Sequence, residues 1–344
     1  MSMIPQDVPT GAIRYNTDSN KMECFDGTKW WQVAVSSPDL DGNQPNGGGR
    51  AIIAGGTTQG TDGNGNKIRY VNIKTTGDGI DFGTLDNFYS FAAGASSSTR
   101  GLHAGGQVPG TTYNNMIYYV TIASTGNPID FGDLTTAIWG MNGVSNQTRA
   151  VFGSGKVSPG AEVNTIEYVT MASLGDAKDF GDLTVIRNNV GPLGNATRGL
   201  WTGGYDSPNE YNTIDYVNIA STGNAQDFGD LTAGTKGQQH QNTGSSTRGI
   251  IWGSAFSPYV NIDSIEYATK GNAIDFGDSS QAIGYRSCTS DCVRGVGFGG
   301  QAGPGDRNCI EYLTIATQGN AVDFGDTAEK HERGVAFSNA HGGL

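Results

Sequence analysis

The tripeptide Asp-Phe-Gly starts at Asp81, Asp130, Asp179, Asp227, Asp275 and Asp323, at spacings of 49, 49, 48, 48 and 48 residues. Spacing this regular confines the chain to a repeat architecture. Before each copy runs a strand-like segment: IRYVNI, IYYVTI, IEYVTM, IDYVNI, IEYAT and IEYLTI, with tyrosines at 70, 119, 168, 216, 267 and 312. Earlier still, an arginine leads an apolar run: RAIIAGG, RGLHAGG, RAVFGSG, RGLWTGG, RGIIWGS and RGVGFGG. A polar stretch of small residues, such as AAGASSS or GPLGNA, comes before that arginine. Each repeat therefore predicts four strands: A (small residues), B (Arg-led), C (Tyr) and D (Asp-Phe-Gly). The Gly and Asn of the connecting turns supply the backbone freedom that tight hairpins need. In the fifth repeat, IEYATKGNAIDFG reads as a C–D hairpin three residues shorter than the others.

Composition agrees with an all-β chain. The 54 glycines among 344 residues show no three-residue period, which excludes collagen. With 36% hydrophobic residues in regular clusters, a folded chain is expected over a disordered one. Four-stranded sheets of this length, repeated six times, describe the blades of a β-propeller. The small residues of A suit the crowded position nearest the axis, and the Tyr of C and Phe of D are expected to fill between blades. The first repeat opens at strand B, GGGRAIIAGG, while the chain closes with GVAFSNAHGGL, which matches strand A. The fold expected is a six-bladed propeller over residues 50–344, with one blade built from B, C and D of the start and A of the end. Such closure leaves no open edge.

Gly-Gly after strand B, a Tyr in C and an aromatic in D resemble the kelch repeat, with Phe in place of the usual strand-D Trp. Two copies lack the Gly pair, at Gly153-Ser154-Gly155 and Gly253-Ser254. The Asp-Phe-Gly-Asp and IASTGN signatures more closely resemble kelch-like propellers encoded by tailed phages, including marine ones. Residues 10–35, TGAIRYNTDSNKMECFDGTKWWQVAV, alternate in a way that predicts a three-strand meander. Through Gly11, Tyr15, Asn16, Thr17, Glu23, Phe25, Gly27 and Trp30 the segment resembles a short module common in phage tail-fibre proteins. Residues 1–35 read as an attachment module and 36–49, SSPDLDGNQPNGGG, as a flexible linker. The resemblance implies a virion protein of tail-fibre or receptor-binding type, made in the host cytoplasm and joined to other virion proteins through residues 1–49. A homotrimer is open to such an arm, because fibre arms often trimerise. A capsid decoration or tail-scaffold protein is the alternative, and a cellular kelch-like interaction module a third reading.

Charge and motifs narrow the partners. A net charge of −12 opposes nucleic-acid binding, and no run of eighteen apolar residues could cross a membrane. The N-terminus lacks the pattern of a signal peptide. Cys288 and Cys292, four apart in a predicted strand, would lie about 13 Å apart, too far for a bridge. All four cysteines read as free thiols, and the four scattered histidines offer no metal pair. DGNGN at Asp62 to Asn66 lacks the Gly and closing Glu of a calcium loop, and Asp39, Asp41 and Asn43 are weaker still. FDGTKW resembles an aspartate box but occurs once and outside the repeats. No G-x-S-x-G elbow or P-loop is present, so a non-enzymatic role without cofactor or metal is expected.

The recurrent Arg50, Arg100, Arg149, Arg198, Arg248 and Arg294 could line an anion site; the expected role is pairing with a repeat Asp or capping the A–B turn. Strands alternate in direction, so A–B and C–D turns share one face, nearly invariant, and B–C and D–A connections share the other, which varies. The arm is expected to leave from the invariant face. Loops carry function on rigid scaffolds, and exposed aromatics beside polar groups suit a host-surface glycan or protein. The candidates on the variable face are Tyr113, Trp139, Arg187, Tyr205, Tyr211, Lys236, Phe256 and Tyr259.

Overall fold

The computed structural model describes residues 8–16, 21–32, 49–56, 65–108, 112–232, 242–253, 260–302 and 305–344. Every regular element among them is a β-strand. The chain divides into two units, Met1–Pro45 and Asn46–Leu344.

The first unit is a three-stranded antiparallel sheet, β1 (Ile13–Asn16), β2 (Lys21–Phe25) and β3 (Trp30–Gln32), in sequence order. Its β2–β3 turn is held by the Asp26 carboxylate, which accepts from the main-chain N–H of Lys29 and Thr28 and from the Trp31 indole. These donors, the Lys29 N–H foremost, hold the Asp26 carboxyl below the usual carboxylate range. Arg14 pairs with Glu23 at 2.8 Å and covers the Trp30 ring. Ile13, Tyr15 and Trp31 stay exposed.

Among the described residues of the second unit, six antiparallel sheets carry strands in the order A-B-C-D, and the second of them is extended by a hairpin of the third repeat. Two further two-stranded sheets, Tyr205–Asp206 with Asn209–Glu210 and Gln301–Ala302 with Gly305–Asp306, lie in B–C connections. The first of the six joins Val335–Ser338 to Arg50–Ala54, Lys67–Asn72 and Ile80–Thr84, so its strand A comes from the end of the chain. The second comprises Ala93–Ser96, Arg100–Ala104, Thr112–Thr121 and Ile129–Trp139. The third comprises Asn142–Ser145, Arg149–Gly153, Thr165–Thr170 and Lys178–Asp182. The fourth comprises Gly191–Gly194, Arg198–Thr202, Thr213–Asn218 and Gln226–Asp230. The fifth comprises Thr243–Gly244, Arg248–Trp252, Asn261–Glu266 and Ile274–Asp278. The sixth comprises Ser287–Ser290, Arg294–Phe298, Cys309–Thr314 and Val322–Asp326.

The recurring tripeptide marks a β-bulge. In the third sheet Glu167 faces Asp179 and Ile166 faces Gly181, leaving Phe180 as the extra residue; the other five sheets slip at the same place. The bulge turns each Phe inward, where all six are 2–3% exposed. The strand-C tyrosines meet these rings edge-on at 5.9–6.1 Å in five of the sheets but remain half-buried. The fifth sheet corrects the sequence reading. Ile250 pairs with Ser264, which occupies the tyrosine position, while Tyr267 lies three residues on and is buried. Phe276 therefore follows Ile262 as Phe180 follows Ile166, and the hairpin is not shortened. Tyr267 matches the other tyrosines in residue type but not in register.

Neighbouring sheets are laced together through these same motifs. The glycine of each C–D turn donates its N–H to the bulged Phe carbonyl of the preceding sheet: Gly126 to Phe82, Gly175 to Phe131, Gly223 to Phe180, Gly271 to Phe228, Gly319 to Phe276 and Gly77 to Phe324, at 2.7–3.0 Å. The next side chain, Asn127, Asp176, Asn224, Asn272, Asn320 or Asp78, accepts from a strand-D N–H beside it. The six leading arginines act across the same junctions. Arg149 Nη1 donates to Ile219 O at 3.0 Å and Arg100 Nη1 to Met171 O at 2.8 Å. Arg50, Arg198, Arg248 and Arg294 reach Ile122, Tyr267, Ile315 and Ile73 carbonyls in the same way. Five of them also lie over a tyrosine of their own sheet. Their side chains neither pair with a repeat Asp nor cap the A–B turn; Arg248 in addition meets Glu266 of its own sheet at 2.8 Å. Their own N–H groups complete the A–B turns, accepting partners being Ser97, Asn146, Asn195, Ser245 and Asp291.

The A strands pack against one another in succession, and Val335–Ser338 packs against Ala93–Ser96. Their serine hydroxyls bond from strand to strand: Ser145 to Ser96 O, Ser96 to Ser338 O, Ser338 to Ser290 O and Ser290 to Gly244 O. A cavity of about 80 Å³ lies among these strands. His341 enters it, its Nε2 donating to Ser96 O at 2.9 Å, and burial lowers its pKa. The four cysteines are free. Cys292 sits in the A–B turn at φ 69°, not in the strand with Cys288 as the sequence suggested, because strand A ends at Ser290.

Candidate functional site

At the A–B and C–D ends of the sheets the six arginines each donate to a main-chain carbonyl of a neighbouring sheet. The opposite end, where strand D returns to strand A, is arranged differently. Phe91, Gly140, Asn189, Tyr285 and Arg333 occupy equivalent places, each five residues before a strand-A Ser96, Ser145, Gly194, Ser290 or Ser338. Gln239, the sixth equivalent, is outside the described residues. All five have positive φ, between 55° and 70°. Only Gly140 adopts that conformation freely; for Phe91, Asn189, Tyr285 and Arg333 it is strained.

Main-chain hydrogen bonds hold the strain in place. Phe91 N donates to Arg333 O, Gly140 N to Phe91 O, Asn189 N to Gly140 O and Arg333 N to Tyr285 O, at 2.7–3.0 Å. Four residues with bulky or polar side chains are thereby gathered at one end of the A strands. The Arg333 guanidinium lies 4.9 Å from the Phe91 ring centroid and 4.4 Å from that of Tyr285, and pairs with Glu332 at 2.8 Å. The Phe91 ring meets Tyr285 at 6.2 Å and Trp139 at 4.9 Å.

Two of the residues named from sequence join this group. Trp139 ends an extended strand D of the second sheet, where it pairs with Lys156 of a hairpin from the third repeat's B–C loop. That hairpin is pinned by a Lys156–Glu162 ion pair at 2.8 Å, and the lysine holds the Glu162 carboxyl below its ordinary value. Tyr113, in the lengthened strand C, stands 6.0 Å from Trp139. Tyr205 and Tyr211 are half-buried on another hairpin, Tyr205–Asp206 with Asn209–Glu210, whose Tyr205 exchanges main-chain bonds with Asn188.

Arg187 is a correction. It does not lie on an exposed loop; it is fully buried, and its Nη2 meets Asp215 Oδ2 at 3.0 Å. Asp215 also accepts from Thr184 Oγ1 at 2.6 Å, and Arg187 donates to Trp201 O, so the pair belongs to the interior. Arg286 and Glu311 repeat the arrangement in the sixth sheet at 2.6 Å. Lys236, Phe256 and Tyr259 are outside the described residues, as are residues 36–48 and most of the DGNGN loop.

Phe91, Asn189, Tyr285 and Arg333 escaped the sequence reading. Their signal was position, five residues before strand A, and their residue types share nothing. Among the described residues no group of three His, Cys, Asp or Glu could hold a metal. His103 and His331 are buried, and desolvation lowers each to a pKa of about 4. Comparison of the sequence with protein-family models and with curated proteins returns no match.

Proposed function

We propose that the six sheets are the blades of a closed six-bladed propeller and that the protein is a receptor-binding component of a tailed-phage virion. The identical lacing at all six junctions, the last joining Phe324 to Gly77, supports closure. The virion assignment rests on the resemblance of the repeats and of residues 10–35 to phage proteins. The observation that carries the recognition role is the contrast between the two ends of the sheets. One end repeats its contacts six times over, whereas the other gathers unlike aromatic and polar side chains, several on strained backbone. Strain of this kind persists where the surroundings enforce it and concentrates at ligand-binding places.

In this reading residues 1–49 attach the protein to other virion components, an association that the exposed Ile13, Tyr15 and Trp31 favour. The loops of the variable end recognise a host-surface glycan or protein. The test is binding of the full chain to host cells together with mass spectrometry of purified particles. Wild type is expected to bind, and Tyr205→Ala, Tyr211→Ala and Tyr259→Ala combined to bind at least about tenfold less, as loss of a few aromatic anchors predicts. Undiminished binding refutes these loops as the contact, and absence of the chain from the tail refutes the fibre assignment.

A further inference from the structure

We propose that the aromatic group at the D–A end binds one neutral pyranose unit of a surface polysaccharide. The proposal rests on the recognition reading above and names the chemistry of its ligand.

Tyr285, Phe91, Trp139 and Tyr113 form a continuous arc, with successive centroids 6.2, 4.9 and 6.0 Å apart. All four are half-buried, whereas the bulge phenylalanines that fill the interior are 2–3% exposed. Each ring of the arc is thus braced by a neighbour yet keeps part of its surface for a partner. Rigid aromatics of this kind lose little conformational entropy when they take a ligand. Their backbone is fixed by the hydrogen bonds that join Phe91, Arg333 and Tyr285, so the arc is already arranged before anything binds.

Polar groups sit beside the rings. The Arg333 side chain keeps 26% of its surface exposed while its guanidinium lies against two rings and its Nη1 pairs with Glu332, so the exposed part of a polar side chain borders the arc. Phe91, Gly140, Asn189, Tyr285 and Arg333 border a small recess. A cavity of about 20 Å³ lies there, room for about one water molecule or a single hydroxyl. A ligand would therefore lie across the arc and not enter the protein, which fits one sugar ring offering its C–H face.

Charge selects against an acidic sugar. Arg333 is compensated by Glu332 at 2.8 Å, and the chain as a whole carries −12. An anion approaching this end would meet no uncompensated cation in the group and an opposing net charge. A neutral hexopyranose carries no such penalty.

The experiment is saturation-transfer NMR on the full chain with methyl glucoside, methyl galactoside and methyl mannoside as probes, and methyl glucuronide as the acidic comparator. A ligand of this size reaches a Kd of around 1 mM. At least one neutral glycoside is expected to receive saturation on its ring C–H protons, and the glucuronide to receive less. Trp139→Ala is expected to weaken binding about tenfold, the upper effect of one aromatic contact. Tyr113→Ala, at the outer end of the arc, keeps the test sound should Trp139→Ala disturb the strand; a loss of about threefold is expected there. No transfer from any neutral glycoside, stronger transfer from the glucuronide, or an unchanged Kd in both variants overturns the proposal. These outcomes are independent of whether the chain is found in a phage tail, so failure of the virion assignment is read separately, from the particles.

Discussion

Replacing Gly181 by alanine measures what the sheet-to-sheet lacing contributes. A Cβ at Gly181 would lie 2.5 Å from Gly223 O and 2.6 Å from Gly223 C, both main-chain atoms of the next sheet. An ordinary C···O contact is about 3.3 Å, so the two sheets must part locally by about 0.8 Å. Three hydrogen bonds cross that point: Gly223 N to Phe180 O at 2.7 Å, Ala225 N to Asp182 O at 2.8 Å and Asp182 N to Asn224 Oδ1 at 3.2 Å. Retreat by that distance takes all three to or beyond hydrogen-bond range. At about 1 kcal/mol for each of the two main-chain bonds and less for the exposed third, the contact cost is about 2–3 kcal/mol. Gly175 supplies the control, since its φ of 147° nearly equals the 149° of Gly181 but its Cβ would meet nothing within 4 Å. Both substitutions share the backbone penalty, and only Gly181→Ala adds the clash. Urea unfolding of the two variants should therefore differ by about 2–3 kcal/mol, with faster hydrogen exchange at Gly223 and Ala225 in Gly181→Ala alone. Equal stabilities, or equal exchange at those amides, would refute the claim that close approach between sheets is why glycine recurs in the tripeptide.

Arg187→Met leaves the Asp215 carboxylate buried without its counter-ion, and a loss of about 3–5 kcal/mol is expected in chemical unfolding. Adding Asp215→Asn should recover part of that loss; no recovery would mean that Arg187 acts mainly through packing. His103 and His331 favour the neutral form when folded, with pKa values of about 4 against 6.5 for the free side chain. Their contribution is complete above about pH 6.5 and is lost as pH falls towards 4, because the unfolded chain binds the protons first. Each could contribute up to about 3 kcal/mol across that window. The Tm should fall between pH 6.5 and 4, and His103→Leu should flatten the slope; a parallel profile in the variant would exclude His103 as its source.

The strands were legible in the sequence because their signals are local. Asp-Phe-Gly located strand D in every repeat, and the arginine-led run located strand B. What the tripeptide accomplishes was only half legible: an inward Phe follows from hydrophobicity, but the Gly is required by a carbonyl some forty residues away. The arginines were misassigned because their partners are main-chain oxygens, which any residue supplies. Tyr267 was misplaced because like residues were aligned where register, set by hydrogen bonds, puts Ser264. Arg187 looked exposed because TVIRN reads as a turn, and its partner Asp215 lies in another strand. At the candidate site Tyr113 and Trp139 were found by residue type. Phe91, Asn189, Tyr285 and Arg333 were not, since nothing in a non-glycine residue announces a positive φ.

The first sheet carries a consequence for the order of events during synthesis. Its strand A pairs Ser338 with Ala51 and Phe337 with Ile52, and Asn339 Oδ1 accepts the Arg50 N–H across 289 residues. On a ribosome, residues 50–54 emerge about 280 residues before the strand that covers their edge. Throughout elongation Ala51, Ile52 and Ile53 must wait with one side of their ladder unfilled. Every other sheet can form within a short stretch of nascent chain. The first can finish only after translation has passed Ser338, and until then the growing chain presents a sticky edge to its neighbours.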